Sequence, residues 1–162
     1  MSIIDTLITD RTQADVIALQ NLLRKAKAEG LTEEERALWN EAIHRGSYNY
    51  TDLNRVSEAA VYLHDKLIEL GYDVPPISKV IWNAGSKVIE AELNGLLADV
   101  ANLRAVLPVP ASTPVPPTSI NFLTIGKAND IETVLATVDK VINTMVRTFP
   151  PCGDVPCGGE NA

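Results

Sequence analysis

The sequence predicts an all-α protein: a helical bundle, a Pro-rich linker to a long C-terminal helix, and a flexible C-terminal tail. Three observations carry this. Aromatic residues make up 5% of the chain while Leu, Val, Ile and Ala are plentiful, a composition that favours helix over sheet. Apolar residues recur at steps of three and four along most of the 162 residues, the period of a helix with one buried face. Capping residues and glycines punctuate those rows.

The first helix is expected from near Thr12, where TQAD places an N-cap three residues ahead of Asp15, to about Glu29 before Gly30. Val16, Leu19, Leu22, Leu23 and Ala26 then share a face. The second follows in LTEEERALWNEAIHRG: Thr32 caps, Glu35 closes the box, three acids sit at the positive end of the dipole, and Gly46 ends it.

The third helix is read from Thr51 as N-cap, with Asp52 in its first turn and Leu53, Val56, Ala60, Leu63, Leu67 and Leu70 in a row before Gly71. That places Tyr48 and Tyr50 upstream of the cap, on an extended segment, with Arg55 available to stack on a ring. Two readings stand for Tyr48, Asn49 and Tyr50: packing plus capping, or a recognition surface for another protein.

Pro75 and Pro76 enforce a break, and Trp82 is expected to anchor it against the first helices. A fourth helix over residues 86–107, with Ile89, Leu93, Leu96, Leu97, Val100, Leu103 and Leu107 in a stripe, would be about 33 Å long. It needs partners along that length. PVPASTPVPPTS, residues 108–119, reads as an extended, semi-rigid linker. Beyond it a helix capped at Thr124 aligns Ile125, Ala128, Ile131, Leu135, Val138, Ile142, Met145 and Phe149. Near-heptad spacing suits either a core within one bundle or an oligomeric seam, and a homo-oligomer is expected. The domain reading is therefore an N-terminal bundle over 1–107, a linker over 108–119, a C-terminal helix over 120–149 and a flexible tail over 150–162.

The formal net charge is -7, and each third of the chain carries more carboxylates than Lys and Arg. That opposes the phosphate neutralisation on which nucleic-acid binding depends, so no nucleic-acid partner is expected. MSIIDTLITD lacks the basic start of a signal peptide, and no apolar run approaches the roughly 20 residues of a membrane span, so no membrane association is expected and synthesis belongs in the cytoplasm.

Nor does a catalytic or metal constellation emerge. Cys152 and Cys157 stand with two histidines far upstream, short of a structural zinc set, so free thiols are expected, with a disulfide open in an oxidising medium. His64 and Asp65 are adjacent on a helix, where side chains project apart and form no orienting pair. Gly85-Ser86-Lys87 and Ile125-Gly126-Lys127 lack the rest of a phosphate loop. No catalytic residue, cofactor or metal ligand is assigned, and the chain is read as no enzyme.

LITDRTQADV at Leu7, YNYTDLNRV at Tyr48, NLRAVLPVP at Asn102 and LTIGKANDIETVL at Leu123 together resemble a group of small helical proteins encoded among the tail genes of phages and prophages of Gram-positive bacteria. Members typically end in aromatic YSGE-like repeats, where this chain has Phe149 and then PPCGDVPCGGE, with cysteine in place of serine and no tyrosine. The resemblance implies a virion structural role at the tail tip, baseplate or fibre, with phage tail proteins as partners. A soluble cytoplasmic assembly factor or adaptor, not retained in the particle, is the alternative. The interaction residues expected are Tyr48, Asn49, Tyr50 and Arg55, together with Ile131, Leu135, Val138, Ile142 and Met145 of the last helix.

Overall fold

The computed structural model describes residues 1–77, 79–85 and 89–148, and among these the protein is all helix with no strand. A short 3-10 turn at Ile3–Thr6 precedes five helices: α1 Gln13–Ala28, α2 Glu33–Gly46, α3 Tyr50–Glu69, α4 Glu90–Val106 and α5 Ile125–Thr148. The reading of the tail, Phe149 and both cysteines falls outside the described residues, as does the expected helical start at 86–88.

Capping boxes open the first two helices as their sequence demands. Thr12 and Asp15 satisfy each other's backbone N–H at α1, and Thr32 and Glu35 do so at α2. The two helices run antiparallel, closed at the tip by Lys25–Glu35 at 2.6 Å and at the base by Arg45–Asp15 at 3.2 Å.

Gly46 has a different task from the one its position suggests. It is the last residue of α2, and Ser47 is the C-cap. A Cβ on Gly46 would meet the Asp15 carbonyl oxygen at 2.6 Å and Leu19 Cβ at 2.7 Å, so glycine is there to let α1 approach. Gly46→Ala should therefore lower stability by about 1–3 kcal/mol in urea unfolding. A helical glycine in open space would respond with the opposite sign.

At α3 the cap is Asn49, not Thr51: the Asn49 side chain accepts from the Thr51 N–H, and the Asp52 carboxylate accepts from the Asn49 N–H. Asn is as good a cap as Thr, and the acid three residues later completes the box. Tyr50 consequently starts the helix, and only Tyr48 lies ahead of the cap. Leu53, Val56, Ala60, Leu63 and Leu67 are buried as a row, but Leu70 is the exposed C-cap. Gly71 takes the left-handed φ of 83° that stops the helix.

α4 begins at Glu90, with Ile89 as an N-cap that makes no side-chain bond and stays 53% exposed. The buried stripe starts at Leu93 and runs through Leu96, Leu97, Val100 and Leu103.

Contacts along the three long helices fix their directions. Arg55 reaches Glu132 and Lys66 reaches Asp139, so α3 and α5 run parallel. Asn54, near the start of α3, grips Trp82 ahead of α4, so α3 and α4 start at the same end of the bundle. Asn121, just before α5, reaches Glu90 at the start of α4. Three parallel helices need connections that travel back the length of the bundle, and both long connections do this.

The first return carries Val74 and Trp82 into the core. Asn54 of α3 holds it by donating to the Trp82 carbonyl and accepting from its N–H, both at 2.8 Å. Trp82 is thus an anchor on α3 rather than on α1 and α2. The second return is the Pro-rich segment. Arg104 donates from Nε to the Pro114 carbonyl at 2.8 Å and from Nη2 to the Thr113 carbonyl at 3.0 Å, and Thr113 and Pro116 are buried. This segment is a strap lying against the bundle, and α5 shares one apolar core with α3 and α4.

Candidate functional site

Hydrophobic rows of this kind leave a carboxylate on a core row unexplained, and there are two. Asp52 precedes Val56 by one turn on α3, and Glu132 follows Ala128 by one turn on α5; both are 0% exposed. An isolated buried charge is prohibitively costly, so each must be matched.

Arg11 and Arg55 match them. Glu132 Oε1 accepts from Arg11 Nη2 at 2.8 Å and Arg55 Nη2 at 2.9 Å, and its Oε2 accepts from Arg55 Nε at 3.2 Å and the Ile8 N–H at 2.6 Å. Asp52 Oδ1 accepts from Arg11 Nη2 at 2.9 Å and Arg55 Nη2 at 2.6 Å. Arg11 Nη1 donates to the Ile8 carbonyl at 2.7 Å. Asn129 clamps the Arg11 backbone, accepting from its N–H at 3.1 Å and donating to its carbonyl at 2.9 Å. Two cations and two anions sum to zero inside the protein. Burial alone would lower the Arg55 pKa, but hydrogen bonds and charge from Glu132 and Asp52 outweigh it and hold the guanidinium above its usual value.

Tyr48 closes the cluster. The Arg11 guanidinium lies 5.3 Å from its ring centroid, within cation–π range. The stacking arginine is therefore Arg11, and Arg55, expected on a ring, is committed to the carboxylates. Burial, reinforced by the charges of Glu132 and Asp52, pushes the Tyr48 phenol far above its ordinary range. Its hydroxyl is buried without a hydrogen-bond partner among the described residues. Tyr48→Phe should accordingly leave stability unchanged or raise it by about 1 kcal/mol in urea unfolding. Tyr48→Ala, which strips the ring from Arg11, should cost about 3 kcal/mol.

With every charge matched internally, the cluster is a lock tying the N-terminal segment to α3 and α5. Its members come from the motifs Leu7–Val16, Tyr48–Val56 and Leu123–Leu135. Folding accounts for those stretches. Sequence reasoning missed Arg11, Asp52 and Glu132; the available signal was the acidic residue standing within each apolar row.

The other expected interaction residues divide sharply. Ile131, Leu135, Val138 and Ile142 are at most 1% exposed, packed within the chain's own core, and Met145 is half-buried at its edge. Of the two outcomes the near-heptad row allows, α5 therefore takes the core within one bundle, packed on this chain's α3 and α4. Asn49 is committed to capping. Tyr50 alone among the expected tyrosines is exposed, at 39%.

Two surface features complete the picture. His64 Nδ1 and Asp65 Oδ1 do meet, at 3.1 Å on the helix surface, contrary to the expectation for helical neighbours. Asp99 on α4 is raised in pKa by burial, against the lowering influence of the His64 charge. A carboxyl raised in the folded state favours folding below its unfolded value of 3.8, and that advantage is lost as pH rises through the folded pKa. Asp99→Asn should therefore raise Tm at pH 7 and leave it unchanged below the unfolded pKa, as a pH series of thermal melts would read.

No helix among the described residues is long and apolar enough to cross a membrane. Comparison of the chain with protein-family models, with curated proteins and with solved structures finds no match.

Proposed function

We propose that this protein is a non-enzymatic structural component of a phage tail, at the tip, baseplate or fibre, which binds protein neighbours through helical faces. The observation that supports a binding role is the α1–α2 hairpin. Of its two helices, 16 and 14 residues long, only Leu19 is buried. Ile17, Leu23 and Leu38 remain 39–56% exposed. A two-helix hairpin cannot cover its own apolar faces, and helices kept this way are normally covered by another protein. The tail context rests on the four sequence stretches that resemble phage tail-gene products.

Quantitative mass spectrometry of purified phage particles, set against the lysate of the same induced culture, tests the reading. A fixed ratio to a known tail protein is expected. Abundance in the lysate with none in particles would sink it and leave the cytoplasmic assembly factor.

A further inference from the structure

The two sides of the α1–α2 hairpin differ in charge. One groove is lined by Leu22 and Leu38 between Asp15, Glu35, Glu41 and Arg45. The other, of about 530 Å³, is walled by Leu19, Leu23, Trp39, Ile43 and Tyr50 and rimmed by amides, hydroxyls and His44. It contains no Asp, Glu, Lys or Arg, in a chain of net charge -7.

We propose that this uncharged groove is the site at which two copies of the chain pair, hairpin on hairpin, as a four-helix bundle. Acidic molecules repel one another, so self-contact is least opposed where carboxylates are missing. A two-fold contact places a patch against itself, which an apolar, uncharged patch tolerates and a charged one does not. The charges outside the groove set the direction. α1 ends on Arg24, Lys25 and Lys27, and α2 opens on Glu33, Glu34 and Glu35. Within one hairpin this polarity already gives the Lys25–Glu35 pair at the tip and the Arg45–Asp15 pair at the base.

Aligned tip to tip, with α1 across the α2 of the second copy, the basic end of each α1 lies beside the acidic start of the other chain's α2. Lys27, one turn beyond Leu23 on the same row, then faces Glu33 of the second copy. Aligned tip to base, basic ends meet basic ends. Tip to tip is also the up-down arrangement in which four helices bury a shared core. The pairing rests on the reading of the hairpin as a protein-binding element, though not on the tail context.

Sedimentation equilibrium of the full chain from about 1 to about 100 µM tests it. The expected result is a monomer–dimer equilibrium, with Leu23→Glu raising Kd at least ~100-fold and Leu38→Glu, on the charged side, leaving it unchanged. Lys27→Glu and Glu33→Lys should each raise Kd about 5-fold, and the two together in one chain should restore it. All four positions are exposed on helices, and a far-ultraviolet melt checks that each variant folds. A chain that stays monomeric throughout overturns the pairing, as does a dimer broken by Leu38→Glu and not by Leu23→Glu. Loss of affinity in the charge-swapped double variant overturns the tip-to-tip alignment. A monomeric chain found in particles at fixed ratio would sink the pairing alone, whereas a dimer absent from particles would sink the tail role alone.

Discussion

Replacing Glu132 with Ala is expected to lower folding stability by about 3–5 kcal/mol, the range seen when one partner of a buried ion pair is removed. The reason is desolvation. Glu132 is 0% exposed and accepts from Arg11, Arg55 and the Ile8 N–H. Without it, Arg11 and Arg55 share the single carboxylate of Asp52, and Arg11, whose side chain is 3% exposed, loses half of the charge that balances the cluster. Glu132→Gln separates charge from volume: it fills the same space, so a loss close to that of Ala assigns the effect to charge matching. Arg55→Ala should cost less, because the Arg55 side chain is 11% exposed and its site admits water to the carboxylate left behind. Chemical denaturation followed by circular dichroism reads all three. A cost below about 1 kcal/mol for Glu132→Ala would mean the cluster is open to solvent in solution.

Leu135→Ala should cost about 2–5 kcal/mol, with the same measurement. Leu135 is 0% exposed between α3, α4 and α5, so truncation removes apolar contacts and leaves a cavity that its well-packed neighbours cannot fill. The readout distinguishes the two fates the near-heptad row on α5 allows. A core residue loses stability independently of protein concentration, whereas a residue in a seam between copies loses it through dissociation. The structure places Leu135 in the core, so its ΔΔG should not vary with protein concentration. Leu23 on the hairpin should behave in the opposite way, with dimerisation lost and monomer stability kept.

Local rules carried much of the fold. Thr12 with Asp15 and Thr32 with Glu35 cap as their spacing demands, because a capping box is satisfied within four residues and needs nothing from elsewhere. Rows such as Leu53, Val56, Ala60, Leu63 and Leu67 identify the buried face, since helical period alone brings them together. Gly71 stops α3 because its positive φ is a local requirement. Thr51 was read as the cap of α3, but Asn49 takes that place, because it leaves Asp52 at the third helical position where its carboxylate closes the box.

What local pattern could not supply was long-range pairing. A periodic row says that α5 has an apolar face and not what covers it; its parallel packing on α3 came from contacts separated by more than 70 residues, such as Arg55–Glu132, and its alignment with α4 from Asn121 reaching Glu90. The same limit applies to the Pro-rich segment. Its stiffness is written in its composition, but its role as a strap depends on Arg104 meeting the Thr113 and Pro114 carbonyls. Gly46 resembles a helix stop until α1 is seen against it. The sequence by itself determined the helices, most of their ends and the faces they bury, because those follow from interactions within a turn or two. Only the tertiary structure decided that Arg11, Asp52, Arg55 and Glu132 neutralise one another, and that the hairpin rather than α5 is left uncovered. Buried charge and exposed apolar surface are properties of what packs against a residue, and its near neighbours in the chain do not contain them.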